Sequence, residues 1–288
     1  MRILVWAYVI PMLVIVAAGA LLVLRYSPDP MSEGGWLSGP RGFLVRVRSG
    51  FGRVSGTVLA LAAGAGVIIA IGWPIGYGAR KFTRYDHKVY NWVLPRSHTH
   101  WLHSSMSTLT KMSNNRETQV VCAIFMVVLT AWWFRHRRGL GVVIPAVLIL
   151  AAYEIEHQLQ HVLKVLAART GPVPAGVGAY PSGGVARLIS VYGLIIYLVL
   201  RRTKLTRTKW AVGAWSVLAL AVYTEAYSRL YLGKHWISDI VGGLVFGGLL
   251  LVLFIAMTKL LDEPDPGPGP EPDDTSGTPK RIFAGSQY

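Results

Sequence analysis

Apolar residues in this chain are gathered into long continuous blocks, with polar residues confined to the stretches between them. A membrane-crossing helix needs about 20 mostly apolar residues. Seven blocks reach or approach that length, at approximately 3–24, 55–77, 118–134, 140–163, 184–200, 210–228 and 237–260. The pattern predicts an all-α polytopic membrane helix bundle. The first block follows Met1-Arg2 as a signal peptide would, but its apolar run is too long for a signal core. No small-x-small cleavage site follows it, so it is expected to be an uncleaved span. In the segment 79–117, Trp92, Leu94, Trp101, Leu102 and Met106 alternate with polar residues. That suits a helix in the membrane interface with its aromatics at headgroup depth. After the last block the chain is rich in Pro, Gly and acidic residues, which cannot build a core and predict a disordered tail. The expected organisation is an N-terminal span and basic loop over 1–54, a membrane domain over 55–260, and the tail over 261–288.

Composition sharpens this picture. The 288 residues are 52% hydrophobic and 15% charged, with a net charge of +15. Such basicity can signal nucleic acid, but the Arg and Lys residues sit in short clusters between apolar blocks, as cytoplasmic loops do. The expected partner is therefore the bilayer, with no nucleic acid. Arg135, Arg137 and Arg138 separate the third and fourth blocks; Arg201, Arg202, Lys204, Arg207 and Lys209 separate the fifth and sixth. Both clusters are expected on the cytoplasmic side, with the loop 25–53 and its Arg41, Arg46, Arg48 and Arg53. Segments 164–184 and 229–236 then share the extracytoplasmic face of a multi-pass protein, expected in the plasma membrane. Cys122 is the single cysteine, so no disulfide within the chain and no cysteine-based zinc site can form. His98, His100 and His103 form a cluster without a nearby acidic or Cys partner, and an interfacial loop is the simpler reading.

Ionisable groups near membrane depth are costly and are functional candidates by default. In "SRLYLGKHWISDIVGG", His235 and Asp239 are four apart and would share one helical face. A carboxylate bonded to one ring nitrogen fixes the tautomer and frees the other as a nucleophile. Arg229 offers a planar fork suited to phosphate oxygens. Lys164 sits at the membrane boundary, where simple snorkelling would also explain it. Ser182, Gly183 and Gly184 open the fifth block, where free amides and the helix dipole favour an anion. A Pro-Gly turn capped by Ser182 is the bland alternative.

These segments resemble the type 2 phosphatidic acid phosphatase superfamily, whose integral members are lipid phosphatases. Its three signatures are Lys-x6-Arg-Pro, Pro-Ser-Gly-His and Ser-Arg-x5-His-x3-Asp. The third is complete here as Ser228, Arg229, His235 and Asp239. The second is present as Pro181, Ser182 and Gly183 but ends in Gly184. The first is present as Lys164 and Pro172, with Gly171 in place of Arg. The resemblance covers approximately 55–260. It implies a six-helix core, to which the N-terminal span is an addition, with the signatures meeting at one membrane face. It also implies that His235 attacks phosphorus to form a phosphohistidine, that Asp239 orients His235, and that Lys164, Arg229, Ser182 and Gly183 hold the phosphate. The missing His would protonate the leaving alcohol. No metal or other cofactor is implied.

Two departures therefore need substitutes. Arg169, two residues from Gly171, and Arg187, three from Gly184, are candidates for the lost phosphate-binding charge. An Arg cannot serve as the acid, because guanidinium does not release its proton in this range. His161, three residues before Lys164, is the first candidate acid, ahead of Tyr180 and His157. A diphosphate, whose leaving group departs more easily, needs an acid less than a monoester does. The expected function is hydrolysis of a lipid phosphate, of the polyprenyl diphosphate or phosphatidic acid type. The alternatives are a phosphotransferase using the same His and a silent lipid-phosphate binder.

Overall fold

The computed structural model describes residues 53–93, 100–135, 142–172, 178–205 and 209–262, with positions 10, 11, 13, 14, 17 and 21 of the first block. Most of the first block, the loop 25–52, Leu94, His98, Arg137, Arg138, Arg207 and the tail from 263 onward lie outside the described residues. Among the described residues, regular structure is helical throughout.

The helices are α1 (Arg53–Lys81), α2 (Thr83–Val93), α3 (His100–Leu109), α4 (Asn115–Phe134), α5 (Ile144–Ala167), α6 (Gly183–Thr203), α7 (Lys209–Tyr231) and α8 (Ile237–Asp262). A 3-10 turn, Thr110–Ser113, links α3 to α4, and a π-helical turn, Leu188–Tyr192, lies inside α6. Four stretches are long and apolar enough to cross a bilayer: Ser55–Lys81, Asn115–Phe134, Gly183–Thr203 and Ile237–Leu261. They carry many exposed apolar side chains, among them Val67, Val127, Phe134 and Val241. Water would penalise such a surface, whereas hydrocarbon accepts it. The protein is an integral, multi-pass membrane protein.

Helices α5 and α7 have spanning length, at 24 and 23 residues, but are more polar. Their polar residues are turned partly inward. On α5 the buried stripe runs Ile149, Ala152, Tyr153, Glu156, Gln160, Leu163, Ala167, the three-and-four spacing of one helical face. Helix α8 packs along α1 and α6, and α4 packs along α5. Leu129, Ile149, Leu163, Leu194, Phe246 and Leu250 fill the core between them. Small residues let the backbones close up: a side chain at Gly247 would stand 2.7 Å from the carbonyl oxygen of Ala186.

The segment 79–117, expected as a helix in the membrane interface, is divided into several helical pieces. It forms the end of α1, two short helices and the 3-10 turn. Trp92 and Trp101 are exposed, but Leu102 and Met106, four apart, are buried with Tyr231 of α7. One face of the segment therefore closes an end of the bundle.

Candidate active site

The end of α1, the end of α5, the start of α6, the end of α7 and the start of α8 converge at one end of the bundle. Backbone groups join them. Arg80 of α1 donates from Nε to the Ala167 carbonyl at 2.7 Å, and Ala179 N–H donates to the Arg169 carbonyl at 2.8 Å. Tyr180 donates its hydroxyl to the Gly72 carbonyl at 3.0 Å. Ser182 N–H donates to the Asp239 carbonyl at 3.0 Å, so the second and third signatures are tied backbone to backbone. Arg135, Arg201 and Arg202 lie at the opposite ends of their helices.

His235 precedes α8 and is not part of it. After α7 the chain turns through Gly233, whose φ of 66° is one that glycine adopts without strain. Lys234 N–H then bonds back to the Arg229 carbonyl at 2.9 Å. Burial, with Arg229 close by, lowers the pKa of the Lys234 ammonium from its ordinary value. Asp239 is fully buried in the first turn of α8 and accepts the Trp236 N–H at 3.0 Å. This is the reciprocal half of a capping box. The turn brings His235 Nδ1 to 3.8 Å from Asp239 Oδ2, about 1 Å beyond a hydrogen bond. Such contacts are commonly long before substrate arrives. His235 Nδ1 is buried without a hydrogen-bond partner among the described residues.

Arg169 does fold back, but toward the rear of this pair. Its guanidinium donates to Asp239 Oδ1 at 2.7 Å, to Ser238 Oγ at 2.6 Å, and to Asp86 Oδ2. Asp86 also accepts from Ser238 N–H at 3.1 Å and Ser238 Oγ at 2.6 Å. With both carboxylates buried, Arg169 is committed to them and corrects the expectation that it faces phosphate.

The cradle is built from the start of α6. Ser182 is the N-cap but makes no side-chain cap bond, and its buried Oγ has no partner among the described residues. The first amides of a helix have no carbonyl within it to bond. Lys164 lies in electrostatic reach of Glu156, Arg187 and Arg229. Arg229 donates from Nε to Glu225 Oε1 at 2.5 Å and from Nη2 to Ser113 Oγ at 3.1 Å. Arg187 is buried, donating from Nε to Glu156 Oε2 at 2.9 Å and from Nη1 to the Ser113 carbonyl at 2.7 Å. Gly183 packs against the Gln160 amide: a Cβ there would stand 1.7 Å from Gln160 Nε2, so that side chain would have to move. The structure thus brings Lys164, Ser182, Gly183, Arg187 and Arg229 together, with His235 and Asp239 joined to them through Ser182.

His161 is not in this group. It is exposed, one residue beyond Gln160 on α5, and so turned about 100° from the buried stripe. That corrects its selection as the acid. Tyr180 is also excluded: burial pushes its phenol up to about 12, and its proton is given to Gly72. Among the described residues no three His, Cys, Asp or Glu side chains gather as a metal site.

A cavity of about 460 Å³ borders Asp86 and Ser238, with mainly apolar walls that include Ile75 of α1, Val241 of α8 and Phe82 at the turn after α1.

The resemblance seen in three short signatures extends across the helices that carry them. A family model for the PAP2 superfamily matches residues 117–262, just over half the chain. The chain belongs to the PAP2 superfamily. The lipid phosphate phosphatase delta of Arabidopsis thaliana is 29% identical over 83 residues, 29% of this chain. The match spans 20% of that relative's length. The crystal structure of a transmembrane PAP2-type phosphatidylglycerolphosphate phosphatase from Bacillus subtilis has the same fold. The TM-score is 0.52 at 21% identity, over 67% of this chain and 95% of the other.

Within this PAP2 fold, sequence reasoning missed Asp86, Ser113, Asn114, Glu156 and Glu225. Asn114 stands 3.4 Å from Arg229 Nη2 through its side-chain oxygen. Glu225 did carry a signal, as a carboxylate inside a mostly apolar block, whereas Glu156 is one of a polar run with Glu154, His157, Gln158 and Gln160. Asp86 and Ser113 lie in the polar segment between blocks and meet their partners only through the tertiary fold.

Proposed function

We propose that this PAP2 protein hydrolyses a lipid phosphate or diphosphate through a phosphohistidine on His235, at the extracytoplasmic face. The observation that carries the reading is the juxtaposition of a nucleophile pair with a cationic cradle. His235 stands beside the buried Asp239, and Ser182, bonded to Asp239, opens the cradle of Lys164 and Arg229. Asp239 accepts a hydrogen bond from Nδ1–H, which fixes the tautomer and stabilises the positive charge the ring gains as Nε2 attacks phosphorus. Arg169 holds Asp239 in place and acts on the reaction only through it. Lys164, Arg229, Ser182 Oγ and the first amides of α6 bind the phosphoryl oxygens, where preorganised donors act most strongly.

The positive-inside rule bears on the face through Arg135, Arg201, Arg202, Lys204 and Lys209, which lie at the other end of the bundle, set against Arg80 and Lys81 at the site end.

The deciding experiment is phosphate release by purified protein in detergent, comparing a polyprenyl diphosphate with phosphatidic acid. Release is expected to vanish in His235→Ala while the variant still inserts and melts normally. Equal release by that variant refutes the mechanism. No release from the wild type with retained affinity for a phosphate analogue would mean a silent binder.

A further inference from the structure

The cradle contains a carboxyl group that the reading above leaves without a task. Glu225 lies on α7, one turn before Arg229, and is 2% exposed. Its Oε1 accepts from Ser113 Oγ at 2.5 Å and from Arg229 Nε at 2.5 Å. Its Oε2 is buried and has no hydrogen-bond partner among the described residues. The carboxyl stands against the second residue of α6: a Cβ built on Gly184 would lie 2.3 Å from Glu225 Oε1. The absent side chain of residue 184 and the carboxyl of Glu225 thus compete for one volume, beside the amides that would hold the phosphate.

We propose that Glu225 is the proton donor and acceptor of the reaction, acting from the space that Gly184 leaves open. This assignment rests on the phosphatase reading. Lys164, Arg187 and Arg229, with Lys234 in reach of Arg229 and Glu225, bring positive charge to the cradle, and Glu156 and Glu225 bring negative charge. Glu156 also has one buried oxygen without a partner among the described residues, but it is held deep on α5 against Arg187, whereas Glu225 abuts the start of α6, so Glu225 is the carboxyl placed to exchange a proton there.

In the first step His235 Nε2 forms the N–P bond and the bond from phosphorus to the leaving oxygen breaks. Its electron pair stays on that oxygen, which takes the proton from Glu225 Oε2 and leaves as an alcohol. In the second step water attacks phosphorus and gives a proton to Glu225 Oε2. The N–P bond breaks with its electrons returning to His235. Inorganic phosphate departs and both side chains are restored.

The test is rapid-mixing kinetics on the purified full chain in detergent, using phosphatidic acid and nitrophenyl phosphate. The nitrophenolate leaves without needing a proton. In Glu225→Gln the first turnover of phosphatidic acid is expected to fall about 10²–10⁴-fold, the usual worth of general acid catalysis. The first turnover of nitrophenyl phosphate should stay within about tenfold, since only the acid is lost. It should be followed by slow turnover with phosphate trapped on His235, visible by mass, because the base of the second step is also gone. Equal loss on both esters overturns the proposal and makes Glu225 only the counterion of Arg229. If Glu225→Gln does not fold, Glu225→Asp keeps the charge and draws the carboxyl back by one methylene. The same split at smaller size is expected of it, and equal loss there also overturns the proposal. The two readings fail differently. A wild type inactive on both esters, or unaffected by His235→Ala, removes the phosphatase reading and this assignment together. A His235-dependent wild type with uniform losses at Glu225 removes this assignment alone.

Discussion

Replacing Gly184 by alanine adds one methyl group at the most crowded point of the cradle. The new Cβ would stand 2.3 Å from Glu225 Oε1, 2.6 Å from Ser113 Oγ and 2.8 Å from Arg229 Nη2. Ordinary contact begins near 3.4 Å, so the three groups must retreat by roughly 0.6–1.1 Å. They cannot retreat independently, because Ser113 and Arg229 are both bonded to Glu225. Helix propensity pulls the other way: Ala is favoured over Gly by at most about 1 kcal/mol. Overpacking costs about 1–3 kcal/mol, and a stretched hydrogen bond to a charged group about 1.5–3 kcal/mol. The net expectation is destabilisation of about 2–4 kcal/mol. Turnover should fall about 100-fold, as when one oxyanion donor is lost. Thermal unfolding in detergent and phosphate release measure the two effects. Gly213→Ala and Gly248→Ala are the controls, since a Cβ at either meets nothing within 4 Å. They should be neutral or slightly stabilising. A Gly184→Ala protein that melts and turns over like these controls would refute the crowding argument.

Other perturbations separate roles that the sequence alone confounds. Arg169→Ala strands two buried carboxylates, Asp86 and Asp239, and should cost about 3–5 kcal/mol in melting experiments. Its turnover should fall while affinity for a phosphate analogue is unchanged; weakened affinity would return Arg169 to the cradle. His161→Ala, at an exposed position, should stay within about 0.5 kcal/mol of wild type and keep its activity on monoesters and diphosphates alike. Tyr180→Phe loses only the bond to Gly72 and should cost about 1 kcal/mol with turnover preserved, which a large activity loss would contradict.

The apolar blocks predicted α1, α4, α6 and α8 well, because spanning a bilayer imposes a length and a composition that read directly from the chain. Helices α5 and α7 were also legible, although their inward polar residues dilute the pattern. The third signature was legible because His235 and Asp239 are close in sequence, but their contact arises from a turn and not from a shared helical face. The network around them was hidden for a different reason. Arg169 meets Asp86 across 83 positions, and Ser113 meets Glu225 across 112. No local spacing encodes pairs that only the packed bundle creates. The choice of His161 shows the limit of spacing arguments: three residues from Lys164 is one turn, yet it falls outside the stripe that α5 buries.

The bond from Ser182 N–H to the Asp239 carbonyl has a consequence for how the protein tolerates change. Every residue but proline carries the same amide, so almost no substitution at position 182 can delete the link. Changes that the packing around Ser182 tolerates therefore leave the loop and α8 in mutual alignment. A lineage that loses one charged or titrating side chain from such a scaffold still holds the remaining groups in register, giving selection time to recruit a replacement from a neighbouring helix.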